Sequence, residues 1–126
     1  MAVLVVTDGP AKDQKYSLEG QRLAMVGRDA KCSFQIMDPE LSRFHLQIRH
    51  AEEQDQHFAI DFQSKNGVEI NGKKIASETM LNNGDRITIG HTTLIYSTDN
   101  SMDAKRAWET WKQVGQGYVH TVTGDS

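Results

Sequence analysis

The chain has one cysteine, Cys32, so it cannot close a disulfide within itself. A single thiol suits a reducing compartment, and a chain of 126 residues buries enough surface to need no covalent staple. Proline is scarce: Pro10 and Pro39 are the two, each in a turn-forming cluster, Asp8-Gly9-Pro10 and Asp38-Pro39-Glu40. An excess of cations is missing too. Fourteen Lys and Arg against 17 Asp and Glu leave a net charge of −3 and a pI near 5.9, which argues against a nucleic-acid or membrane-surface protein. No apolar run reaches membrane-spanning length. Met1-Ala2-Val3-Leu4-Val5-Val6 lacks the basic start of a secretory signal, and Thr7-Asp8-Gly9-Pro10 ends it early. No nucleophile stands beside a base at a motif spacing, and no histidine pair has a carboxylate or cysteine partner at metal-ligand spacing. These absences point to one soluble, cytoplasmic, non-catalytic domain without metal or cofactor.

What is present is a succession of short apolar runs and turns. Ala2 to Val6 reads as a buried strand. Lys15 to Leu18, Leu23 to Val26 and Phe34 to Ile36 follow, each closed by polar or glycine residues. Phe44 to Arg49 sets Phe44, Leu46 and Ile48 against His45, Gln47 and Arg49; His57 to Phe62 sets Phe58, Ile60 and Phe62 against Ala59 and Asp61. Asn71-Gly72 between Val68 to Ile70 and Lys73 to Ile75 is the strongest hairpin signal, because both central residues of a type I′ turn need φ > 0. Arg86 to Gly90 and Thr92 to Ser97 complete a pattern of ten or eleven short strands over residues 1–98 with no helical period, the signature of a β-sandwich or barrel.

Three polar clusters interrupt this pattern at strand ends: Gly27-Arg28, then Ser42-Arg43-Phe44-His45, then Ser64-Lys65-Asn66-Gly67. They combine cations, hydroxyl and amide groups, and glycines that allow tight turns. A phosphate monoester carries about −1.5 to −2 charges and three strong acceptors at neutral pH. Guanidinium groups fork onto such oxygens, and an asparagine side chain pairs with a peptide amide. The clusters thus suit a phosphate and a piece of extended backbone, and lack the pairing that bond cleavage requires.

Gly27-Arg28, Ser42-x-x-His45, Ser64-x-Asn66-Gly67, Asn71-Gly72 and Gly84-Asp85-x-Ile87-x-Ile89-Gly90 occur in this order. Over about residues 2–98 the chain resembles a forkhead-associated (FHA) domain. The resemblance implies an all-β, eleven-stranded FHA/SMAD-like β-sandwich whose loops at one end bind phosphothreonine peptides, as a signalling adaptor fed by a Ser/Thr protein kinase. By resemblance, Arg28 supports phosphate and peptide backbone, Ser42 donates to a phosphate oxygen, Arg43 and Lys65 lie near the phosphate, and Asn66 bonds the peptide main chain. His45 braces the loops, and Gly27 and Gly67 are turn positions. Val68 departs from the threonine common after Asn-Gly in the family.

The remaining polar residues read as ordinary: Cys32 as packing, Asp38 and Glu40 as solvated, and His50, His57, His91 and His120 as surface or strand residues. Residues 99–126 read as a separate tail. Met102, Ala104, Ala107, Trp108, Trp111 and Val114 give a mostly apolar helical face over about 101–114, followed by flexible chain. The alternative function is a phosphate-independent interaction module that uses a sheet face or this tryptophan-bearing helix.

Overall fold

The computed structural model describes residues 2–99. The helix and flexible end expected for the tail lie outside the described residues. Eleven strands are present: β1 (Val3–Asp8), β2 (Lys15–Ser17), β3 (Leu23–Gly27), β4 (Phe34–Gln35), β5 (Leu46–Ala51), β6 (Gln56–Asp61), β7 (Glu69–Ile70), β8 (Lys73–Lys74), β9 (Thr79–Met80), β10 (Arg86–Ile89) and β11 (Thr92–Ser97). They form two sheets, one in the order β2-β1-β11-β10-β7-β8 and the other β4-β3-β5-β6-β9. The β3–β4 pair is parallel; the other pairs are antiparallel.

Alternation along the strands builds the core. Leu4 and Val6, Ala24 and Val26, Leu46 and Ile48, Ile87 and Ile89, and Leu94 and Tyr96 belong to one buried cluster between the sheets. Each fully buried Leu, Ile or Val contributes roughly 1.5–3 kcal/mol. The Asn71-Gly72 hairpin forms as its sequence demands, with φ of 53° and 86°. Strand β9 had no sequence signal: Thr79–Met80 is too short to alternate, and it exists because Phe58 and Ala59 of β6 offer it an edge.

Two alternations differ from the sequence expectation. Phe44 precedes β5, and the buried neighbour is His45 rather than Phe44. In β6 the inward residues are His57 and Ala59, while Phe58 and Ile60 are half-buried and Phe62 is exposed. The side-chain period was right, but the strand is turned the other way up because His57 has a partner inside. Its Nδ1 lies 2.7 Å from the Tyr96 hydroxyl. Of the surface or strand positions expected for it, His57 takes a strand position and is buried, 5% exposed, and among the described residues its Nε2 has no hydrogen-bond partner.

Burial lowers the pKa of His57 from 6.5 to about 4, with the nearby His50 acting in the same direction. The same burial raises that of Tyr96 to about 12. Because the folded state holds His57 neutral, the unfolded chain binds the extra proton between pH 6.5 and 4. Stability contributed here is complete above pH 6.5 and is lost as pH falls towards 4. The expected loss from this group is about 2 kcal/mol by pH 5. Urea unfolding from pH 7 to 4.5 checks it: His57→Phe has the flatter profile, and equal slopes for the two proteins would contradict the assignment.

Candidate functional site

The three polar clusters meet at one end of the five-stranded sheet, on the chain leaving β3, the loop between β4 and β5, and the loop between β6 and β7. Their meeting is enforced by backbone contacts. Arg28 N–H donates to the Ser42 carbonyl at 3.2 Å, and Asp29 N–H donates to the Arg43 carbonyl at 3.1 Å. That carbonyl also accepts the Cys32 thiol at 3.2 Å. A Cβ on Gly27 would stand 2.2 Å from the Arg43 oxygen, so the close approach requires glycine. Burial raises the pKa of the Cys32 thiol, which suits a packing residue rather than a nucleophile.

His45 joins the second loop to the third. It is fully buried. Ser42 N–H donates to its Nδ1 at 3.0 Å, so Nδ1 carries no proton, and Nε2–H donates to the Gly67 carbonyl at 2.7 Å. The imidazole is therefore the neutral Nε2–H tautomer with both nitrogens engaged. A second link runs alongside: Lys65 N–H donates to Ser42 Oγ at 2.9 Å. Within the third loop Ser64 Oγ accepts Gly67 N–H at 2.9 Å, and Ser64 N–H donates to the Asp61 carboxylate at 2.9 Å. This local bonding holds Gly67 at φ 85°.

The polar groups left over define what the site can do. Ser42 Oγ accepts from Lys65, which leaves its O–H hydrogen to donate. Arg28 Nε donates to the Leu41 carbonyl at 3.1 Å, which fixes the guanidinium and, among the described residues, leaves its terminal nitrogens for another acceptor. Arg43 is mostly exposed and lies 3.5 Å from Asp29, a weak surface pair that an arriving anion can outcompete. Asn66 Nδ2 donates to the Glu40 carbonyl at 2.9 Å, so Oδ1 is the atom left to accept a peptide N–H. Gly27, Arg28, Ser42, Arg43, His45, Lys65, Asn66 and Gly67 all lie in this one loop cluster. The arrangement offers cations, a hydroxyl donor and an amide at fixed positions. Among the described residues there is no cluster of metal-ligating side chains.

Three contributors were missed in the sequence. Asp38, expected to be solvated, is fully buried. Its carboxylate accepts Glu40 N–H at 2.9 Å, His91 N–H at 2.8 Å and the Thr92 hydroxyl at 2.8 Å. Burial alone would raise its pKa, but these hydrogen bonds outweigh burial and the net shift is downward. Asp38 thereby ties the loop that carries Ser42 to the turn between β10 and β11. The available signal was the Asp-Pro-Glu order, which suits an aspartate side chain bonding the amide two residues on. Glu40, the partner of Asn66, is the second. Lys74 is the third: its Cε lies 2.7 Å from where a Gly67 Cβ would stand, so a further cation borders the third loop.

The FHA domain family model matches residues 24–90, just over half of the chain. The chain is 27% identical over 119 residues to the DNA damage response protein kinase DUN1 of Saccharomyces cerevisiae. It is 32% identical over 80 residues to the FHA domain-containing protein PS1 of Arabidopsis thaliana. These matches cover 86% and 62% of this chain but span 23% and 5% of the relatives' own lengths. Among solved structures, one from work on phosphothreonine-dependent FHA domain interactions superposes with a TM-score of 0.68 at 28% identity, covering 78% of this chain and 96% of that one. On the matched family model, the two-sheet fold and this superposition, the chain belongs to the FHA-domain family.

Proposed function

We propose that this chain is a phosphothreonine-peptide adaptor that acts downstream of a Ser/Thr protein kinase. FHA domains bind phosphothreonine peptides and are generally non-catalytic binding modules. Arg28, Ser42, Arg43 and Lys65 receive the phosphate, Asn66 Oδ1 receives a main-chain N–H of the peptide, and His45, Gly27 and Gly67 hold the loops in place. The observation that carries this reading is the bond from Lys65 N–H to Ser42 Oγ. It locks the serine so that its O–H is presented to an anion, on the loop that also carries Arg43. A phosphopeptide needs no chemistry beyond this, and the domain itself performs no catalysis. A buried free thiol fits a reducing, cytoplasmic location.

Charge-assisted hydrogen bonds contribute about 1.5–3 kcal/mol each, so Arg28→Ala is expected to weaken phosphopeptide binding by roughly 10- to 150-fold. Ser42→Ala removes a donor to the anion and is expected to lose on the order of 10-fold. Fluorescence anisotropy measures both, with unfolding curves run beside it. Wild-type affinity in either folded variant would move the phosphate elsewhere.

A further inference from the structure

The loop cluster holds one charge for which a phosphate has no use. Glu40 is exposed, and its carboxylate stands beside the Asn66 amide rather than beside a cation. Among the described residues Glu40 has no ion-pair partner, whereas Asp29 has Arg43, Glu52 has Arg22, Asp55 has His50 and Glu78 has Arg49. A lone carboxylate on a free stem is an ordinary solvated group, but Glu40 is held at three points. Its N–H donates to the Asp38 carboxylate at 2.9 Å, and Asp38 is itself anchored by His91 N–H and the Thr92 hydroxyl. Its stem lies on the turn between β10 and β11, where a Cβ on Gly90 would stand 3.0 Å from Glu40 Cβ. Its carbonyl accepts Asn66 Nδ2 at 2.9 Å, and its Oε1 lies 3.4 Å from the same nitrogen.

Asn66 is the residue whose Oδ1 is left to accept a peptide N–H. Oδ1 and Nδ2 share one planar group, so Glu40 Oε1 lies within about 6 Å of Oδ1. A peptide residue that donates its N–H there carries its own side chain, or its neighbour's, past a carboxylate. Arg28, Arg43 and Lys65 are engaged by the phosphate on the phosphopeptide reading. Lys74, which borders Gly67, is the register partner of Glu69 across β7 and β8, so an acid already stands opposite it. Glu40 is thus the charge left to meet the part of the peptide that passes Asn66.

We propose that Glu40 is a specificity-determining residue: it favours phosphothreonine peptides that place a lysine or arginine beside Asn66 and disfavours those that place an aspartate or glutamate there. The proposal rests on the phosphopeptide reading and narrows its ligand class. Selection acts in both directions, because the same carboxylate attracts a cation and repels an acid.

The test is a set of phosphothreonine peptides in a neutral background, with lysine, alanine or glutamate placed at each flanking position in turn. Fluorescence anisotropy measures them against the full chain, Glu40→Gln and Glu40→Lys, with melting curves to show that each variant folds. At one flanking position the wild type is expected to prefer lysine to glutamate by roughly 3- to 10-fold, the size of an exposed charge pair gained in one peptide and opposed in the other. That ratio falls towards one in Glu40→Gln, reverses in Glu40→Lys and shrinks as salt is added. Glutamine keeps an oxygen for Asn66 Nδ2, so a merely structural role for Glu40 would leave the ratio unchanged. Phosphate-dependent binding with no charge preference, with a preference for glutamate, or with the same ratio in Glu40→Gln would overturn the proposal and leave the phosphopeptide reading standing. No phosphate-dependent binding of any peptide would overturn that reading and this proposal with it.

Discussion

Gly27→Ala is expected to lower stability by about 3 kcal/mol, at the upper end of the range for overpacking a tight site. The reason is geometric. The new methyl would stand 2.2 Å from the Arg43 carbonyl oxygen, 2.9 Å from its carbon and 3.0 Å from Cys32 Sγ. Two of these are backbone atoms, so no rotamer change relieves the clash. The loop bearing Ser42 and Arg43 must move away, which breaks the Asp29 N–H bond to the Arg43 carbonyl and the Arg28 N–H bond to the Ser42 carbonyl. Phosphopeptide affinity falls with stability, because Arg28 and Ser42 are set against each other by those same bonds. A loss of this size lowers the melting temperature by roughly 10–15 °C in a domain of this length. Wild-type melting and affinity in Gly27→Ala would show that the two loops are not held at this distance.

His45→Ala has the other large effect. Removing a fully buried ring leaves a cavity and strands two groups, the Ser42 N–H and the Gly67 carbonyl. Each buried group without a partner costs about 1–3 kcal/mol, so the expected loss is about 3–5 kcal/mol including the cavity. His45→Gln returns a donor and an acceptor on a more flexible stem and is expected to recover part of it. Urea unfolding gives the stability, and the alanine variant's affinity is compared under conditions where it is still folded. On the proposed phosphopeptide reading affinity falls there as well, because the link from Ser42 to Gly67 sets the spacing between the Ser42 hydroxyl and Asn66. Full stability in His45→Ala would refute the bracing role.

Much of the fold was legible because its signals are local. The Asn71-Gly72 turn, the apolar run of β1 and the alternation in β10 and β11 each follow from a few neighbouring residues. The loop cluster was legible as a set, since Arg28, Ser42, His45 and Asn66 recur in a family order. What escaped depends on distant contacts. Asp38 reads as a loop acid until Thr92, 54 positions away, is seen donating to it. His57 reads as polar until Tyr96, 39 positions away, takes its Nδ1. Long-range hydrogen bonds, two to Asp38 from His91 N–H and the Thr92 hydroxyl and one between His57 and Tyr96, offset the cost of burial and reverse the expectation drawn from residue type. Glu40 and Lys74 were missed for a related reason: their relevance comes from lying against Asn66 and Gly67 across loops the sequence does not align.

The most direct test of phosphothreonine recognition is one titration of the full chain. A degenerate phosphothreonine peptide library, its phosphoserine counterpart and the unphosphorylated library are each measured by fluorescence anisotropy. The expected result is micromolar affinity, about −8 kcal/mol, for phosphothreonine peptides, weaker binding of phosphoserine, and none without phosphate. Equal binding with and without phosphate, or no binding of any phosphothreonine peptide, would contradict it and leave the loop cluster without a phosphate ligand.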